Sequence, residues 1–354
     1  MQVKKSPIFH VLTAAILFGA SAPLAKLLLG EIQPVVLAAF LYLGSGIGLF
    51  IYKIIRRILG KESKKEARLQ RKDFPWLFGS VLSGGVAAPI VLMFSLKHTP
   101  ASTASLLLNF ESVATALIAA LAFHEAVGKR VWSAVAFVTI ASVLLSLDAT
   151  GEWGFSLGAV GILVACVLWG IDNNFARNIS SKDPIDIVII KGIAAGFFSL
   201  ILALVLGNSL PGLRSLLLSS ILGLFSYGLS IVFFILAMRD LGSARTSAYF
   251  ASAPFIGAAI SFIIFREPPN ILFIISLPIL IAGVFLLFGE RHSHTHTHFE
   301  IEHEHMHSHE DGHHSHTHLA DDGNKVHSHL HKHEGPTHKH PHAPDIHHRH
   351  DHEK

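Results

Sequence analysis

Along residues 1–288 apolar blocks, each roughly 20 residues long, alternate with short polar turns, while residues 289–354 contain almost no apolar run. Because a bilayer core of ~30 Å takes about 20 apolar helical residues, the pattern predicts ten transmembrane helices. They cover 8–28, 35–55, 74–95, 101–123, 130–148, 158–178, 185–205, 215–237, 243–265 and 271–288. The first block follows Lys4 and Lys5, as a signal peptide would. It runs longer than a usual signal core and has no clear A-x-A cleavage site, so it is read as a retained span.

One block stands out. Ala101–Glu125 is apolar except for a few polar side chains, with a carboxylate, Glu111, near its centre. A charge at mid-bilayer costs several kcal/mol unless it is paired, hydrated or neutralised, so such a residue points to function by default. The block also has a counterpart 142 residues later, Ser243–Glu267, matching at Ser105/Ser247, Ala116/Ala258, Ile118/Ile260, Phe123/Phe265 and Glu125/Glu267. The first and sixth blocks correspond at an offset of 151, through Leu12/Leu163, Ala14/Ala165, Leu17/Leu168, Gly19/Gly170 and Ala25/Ala176. Each half then holds five spans, an odd number, so the halves must lie in the membrane with opposite orientations. Inverted repeats are common among secondary transporters, with the substrate site at the repeat interface.

The openings of the halves read AAILFGASAPLAKLLLGEIQP and GILVACVLWGIDNNFARNISSKDP. Their closing helices end in Phe123-His124-Glu125 and Phe265-Arg266-Glu267. On these residues the chain resembles the drug/metabolite transporter superfamily, and within it the EamA family, over roughly 8–288. The resemblance implies an all-α polytopic membrane protein of ten transmembrane helices in two inverted five-helix repeats, with a central cavity and alternating access. It also implies outward transport of small metabolites, amino acids among them. It supplies no ligand list. The expected domains are residues 1–148 and 149–290 for the two repeats and 291–354 for a disordered His-rich tail.

Charge fits this picture. With the N-terminus taken as cytoplasmic, the inner loops hold eighteen Lys and Arg against four at the outer ends, which places both termini inside. Half of the 354 residues are hydrophobic, the mean hydropathy is positive, and only 15% are charged, too few for the surface of a soluble protein of this length. The single cysteine, Cys166, sits in an apolar block, which excludes a disulfide framework and a cysteine metal site. The chain holds no phosphate loop, nucleophile elbow or soluble pair of acids, and is not expected to be an enzyme or to bind nucleic acid. His303-Glu304-His305-Met306-His307 matches H-E-x-x-H, but that motif works on a stable helix, which a tract of this kind does not provide.

The candidate substrate-binding residues are Glu111, Asn109, Asp172, Asn173 and Trp169. Glu111 could meet a substrate amine, carry a coupling proton, or make a structural interhelical bond. On a continuous helix Ser105, Asn109 and Ser112 share a face, and Glu111 points about 100° away from it. Asp172 and Asn173 could line the cavity or its inner mouth. Lys191, about two turns into its span, could pair with Asp172 or Glu111; the favoured reading is that it snorkels to the surface.

The tail holds 23 of the 26 histidines. Neutral imidazole suits Zn, Ni, Co and Cu, and an anionic, apolar-poor segment cannot bury enough surface to fold without metal. The expected metal ligands begin with His292, His294, His296, His298, His303, His305, His307, His309, His313, His314, His316 and His318. No cofactor is required; divalent Zn, Ni or Co bound by the tail is expected. The leading expectation is a multi-pass exporter of small metabolites in the cytoplasmic membrane. Its partners would be a small-molecule substrate, the lipid bilayer, divalent metal ions and a second copy in a homodimer. Two alternatives stand beside it: a Ni, Co or Zn exporter whose tail collects the cargo, and a membrane-anchored metal store or sensor.

Overall fold

The computed structural model describes residues 5–60, 66–122, 128–147, 156–241, 246, 249–287, 292–297, 301–308, 326–333 and 337–342, the last four segments as backbone. The body is helical: α1 (Lys5–Gly19), α2 (Ser21–Leu28), α3 (Pro34–Ile58), α4 (Phe74–Ser80), α5 (Ala88–Lys97), α6 (Ala101–Leu107), α7 (Phe110–Ala122), α8 (Lys129–Ser146), α9 (Leu157–Ile179), α10 (Pro184–Val205), α11 (Leu213–Leu222), α12 (Ser230–Leu241), α13 (Ala253–Phe265) and α14 (Ile271–Leu287). Among the described residues, eight continuous helical stretches are long and apolar enough to cross a membrane; α13 and α14 are shorter apolar helices. Starts follow familiar chemistry. Pro34 and Pro184 open α3 and α10, where a missing N–H costs nothing, and the Ser156 hydroxyl accepts the Ala159 N–H at 3.3 Å to cap α9.

Two spans contain a π-helical turn. Val81–Ala87 joins α4 to α5, and Gly223–Leu229 joins α11 to α12, 142 residues further on. Their positions repeat the offset found in the sequence. Packing repeats too. α7 lies on α9 and α1 on α13; α5 lies on α9 and α12 on α1; α3 crosses α10, α6 crosses α13 and α8 crosses α14. Exchanging the two halves of the chain maps this set of contacts onto itself. The α3–α10 crossing is close because both helices are bare there: a Cβ on Gly192 would stand 2.6 Å from the Gly46 nitrogen.

Polarity is distributed as a bilayer requires. Asp172, Lys191 and Asn174 are buried, while Phe9, Leu121, Ile201, Ile263 and Phe285 face outward. At one end of the bundle charged residues tie the halves together. Arg239 donates to Glu66 (3.0 and 3.2 Å), to the Ser180 carbonyl (3.0 Å) and to that of Lys182; Lys182 stands 3.8 Å from Asp73, and Lys53 pairs with Asp186.

The tail is described in four short strand segments. Its described residues form β1 (His292–Thr297), β2 (Ile301–Ser308), β3 (Val326–His333) and β4 (Thr337–His342), with β1 antiparallel to β4 and β2 to β3. The reason is period. His-x-His-x alternates with the pleat, the intervening Thr and Val favour strands, and pairing satisfies backbone groups that the composition leaves without a core. His298, His309, His313, His314, His316 and His318 lie outside the described residues.

Candidate functional site

The polar centre is built on α9, which places Trp169, Asp172, Asn173 and Asn174 within two turns. Successive residues of a helix point ~100° apart, so neighbouring polar side chains reach different partners. Asn174 turns to α7 and donates to the Thr115 carbonyl at 3.1 Å and to the Gly170 carbonyl at 2.8 Å. Asn173 meets α7 as well, donating to the Glu111 carboxylate at 2.8 Å and to the Thr115 hydroxyl at 3.2 Å. Asp172 faces the other way. Its carboxylate receives Lys191 of α10 and the Ser80 hydroxyl of α4. Gly170 permits the α7–α9 approach, since a Cβ there would stand 2.9 Å from the Ala114 backbone.

The π turn contributes an acceptor. In its register the Ala88 N–H bonds the Ser83 carbonyl. The Gly84 carbonyl would then pair with residue 89, which is Pro89 and has no N–H. Two side chains satisfy it instead: the Tyr42 hydroxyl at 2.5 Å and the Trp169 indole at 3.1 Å. Gly84 is also where Asp172 approaches; a Cβ on it would collide with the carboxylate. Rings close the centre. Phe18 packs edge-on to Trp169 and to Tyr227, both with centroids 5.9 Å apart, and Tyr227 lies 5.5 Å from Tyr42.

Of the expected residues, Glu111, Asn173, Asp172 and Trp169 come together. Asn109 does not join them. The span breaks at 108–109, between α6 and α7, and Asn109 turns back to donate to the Leu106 carbonyl at 3.2 Å. Its Oδ1 is buried without a hydrogen-bond partner among the described residues. The continuous-helix reading of Ser105, Asn109 and Ser112 fails at this break. Lys191 does not snorkel: it is 4% exposed and held by Asp172. Sequence reasoning missed Ser80, Tyr42, Thr115 and the Gly84 carbonyl. The Gly84-Gly85…Pro89 interruption of an apolar run was the available signal for the last of these.

A helical membrane body with carboxylates, an ammonium and amides gathered at its centre defines a polytopic membrane transporter. The family model for the EamA-like transporter family matches residues 5–147 and 156–289, and the chain belongs to that family. An uncharacterized transporter of Methanothermobacter thermautotrophicus is 30% identical over 292 residues, 78% of this chain and 84% of the relative. One from Archaeoglobus fulgidus is 28% identical over 299 residues, 80% and 98% of the two chains. A solved crystal structure matches with a TM-score of 0.60 at 17% identity, covering 81% of this chain and 97% of its own; that likeness concerns the fold.

Proposed function

We propose that the protein is a secondary transporter that exports small metabolites bearing an amine, amino acids being the leading class, by alternating access. Ten spans in two inverted halves would sit in the cytoplasmic membrane with both termini inside. The carrying observation is the pair of contacts made by adjacent residues of α9: Asn173 with Glu111, and Asp172 with Lys191. A zwitterion can exchange partners with such a set. Its ammonium replaces the amide at Glu111 or the ammonium at Asp172, and its carboxylate takes Lys191. Each exchange keeps charge compensated in a medium where an unpaired ion is costly. Trp169, which donates to the Gly84 carbonyl beside Asp172, would shape the same cavity.

The tail is read as a chelator of Zn, Ni or Co that modulates transport. Metal as cargo finds less support in the body, where Asp172 is held by Lys191 and Glu111 by Asn173. No cofactor is required by this reading, and a homodimer is compatible with it. The test is a counterflow assay in proteoliposomes with a panel of amino acids and amines, comparing wild type with Glu111→Gln. The neutral isostere should keep the Asn173 contact and lower amine transport at least about tenfold, the equivalent of ~1.4 kcal/mol of binding. Unchanged transport would remove Glu111 from the substrate path.

A further inference from the structure

Each π turn packs on the opening helix of the other half: Val81–Ala87 lies on α9, and Gly223–Leu229 lies on α1. Against the first turn stands Asp172, paired with Lys191 and close to Gly84. The residue 151 positions before Asp172 is Ser21, and its hydroxyl is the polar neighbour of the Tyr227 hydroxyl in the second turn. Equivalent places therefore hold an ion pair in one case and two neutral hydroxyls in the other. Ser21 is 0% and Tyr227 1% exposed, yet neither oxygen has a hydrogen bond of ordinary geometry among the described residues. Buried polar groups are nearly always hydrogen-bonded, and an unmade bond there is costly. Ring packing does not explain the Tyr227 oxygen. Phe18 at 5.9 Å and Tyr42 at 5.5 Å contact the ring, and a phenylalanine would offer them the same surface. The pair also lies one ring away from the charged set. Phe18 touches both Tyr227 and Trp169, and Tyr42 touches Tyr227 while donating to the Gly84 carbonyl beside Asp172.

We propose that Ser21 and Tyr227 form an uncharged subsite that recognises a hydroxyl or amide on the substrate's side chain, so that the transported amino acids are those with a neutral hydrogen-bonding side chain. The proposal deepens the reading of the charged set as a zwitterion site and rests on it. A substrate held at the interface of two inverted halves meets both equivalent places at once. On one side Glu111, Asp172 and Lys191 receive its ammonium and carboxylate. On the other, two hydroxyls remain, each able to donate and to accept. A substrate hydroxyl or amide supplies the bonds that Ser21 and Tyr227 lack. An apolar side chain leaves both oxygens unmatched. An ionised side chain is disfavoured there, because neutral hydroxyls compensate neither sign of charge in an apolar medium. Discrimination between side chains of similar shape thus falls to the half of the interface that carries no charge.

The test is counterflow by full-length protein in proteoliposomes with two pairs of similarly shaped substrates, threonine against valine and asparagine against leucine. Wild type should prefer the polar member of each pair at least about tenfold, because a site built to hydrogen-bond a substrate rejects the analogue that lacks the group. Tyr227→Phe keeps the ring and removes one oxygen; Ser21→Ala removes the other. Each should move the ratio within a pair at least about threefold towards parity. A Tyr227→Phe protein that loses both members of a pair equally would make the hydroxyl structural and overturn the subsite. A preference that survives in both variants would do the same, leaving the two oxygens to buried water. Wild type that carries both members of each pair equally well would overturn the subsite and leave the zwitterion reading standing. Wild type that carries no amine at all would overturn both.

Discussion

Two helix crossings in this molecule are equivalent under the offsets of the duplication, and they differ in one respect. Where α9 meets α7, Gly170 lies against Ala114 and Thr115; where α1 meets α13, Gly19 lies against Ala253 and Ile256. Both crossings need a glycine because the helices approach within contact of each other's backbone. The first carries Glu111 hydrogen-bonded to Asn173. At the positions 142 and 151 residues away, the second carries Ala253 and Ala22. Asp172 likewise corresponds to Ser21. One of the two equivalent crossings therefore stands without the charges that the other contains. Charge at the centre is not a requirement of the fold, and its cost in a membrane is met for another purpose.

The sharpest way to break this comparison is to leave one member of the charged set alone. Lys191→Ala strands the Asp172 carboxylate, leaving it the Ser80 hydroxyl as a hydrogen-bond partner among the described residues. It should cost about 3–5 kcal/mol, read as a fall in the thermal unfolding temperature in detergent. Replacing both, Lys191→Leu with Asp172→Leu, should recover most of that loss and still abolish transport. A cost near zero for Lys191→Ala would mean that the ammonium reaches the surface after all.

Next in size is the reverse experiment. Ala253→Glu puts a carboxylate at the equivalent apolar crossing. Position 22 there is alanine, which offers no amide to receive it. The expected cost is about 2.5–3.5 kcal/mol, the penalty for a mid-span charge, measured by the same unfolding assay. If Ala253→Glu folds as well as wild type, the two crossings are polar to the same degree and the asymmetry carries no functional information.

Much of this was legible in the sequence, and the failures have identifiable causes. Span positions follow from apolar length, and the equivalence of the halves from Gly19/Gly170 and the 142-residue offset. The Asp172–Lys191 contact was one of three options because a lysine two turns inside a span reaches either a neighbour or the surface. Choosing between them requires knowing that α9 and α10 both pack on the Val81–Ala87 turn. The sequence groups Asn109 with Ser105 because the break at 108–109 has no proline or glycine to announce it.

The smallest expected effect concerns the two π turns, and it separates two explanations of them. In the first half the Gly84 carbonyl lacks a backbone donor because residue 89 is proline; in the second the corresponding carbonyl belongs to Ser226, and residue 231 is isoleucine, which has an N–H. Both segments are nevertheless π-helical, so proline is not what the turn requires. Pro89→Ala should then keep the turn and change stability by no more than about 1 kcal/mol, since the new N–H joins donors already present. Its consequence lies in Tyr42. In the wild type Tyr42→Phe removes one of two side-chain donors from a buried carbonyl and should cost about 1–3 kcal/mol. In the Pro89→Ala background the same change should cost less, because the backbone now supplies a donor. A double-mutant cycle by thermal unfolding should give a coupling of at least about 0.5 kcal/mol. Zero coupling would mean that the Tyr42 hydroxyl matters through something other than the Gly84 carbonyl.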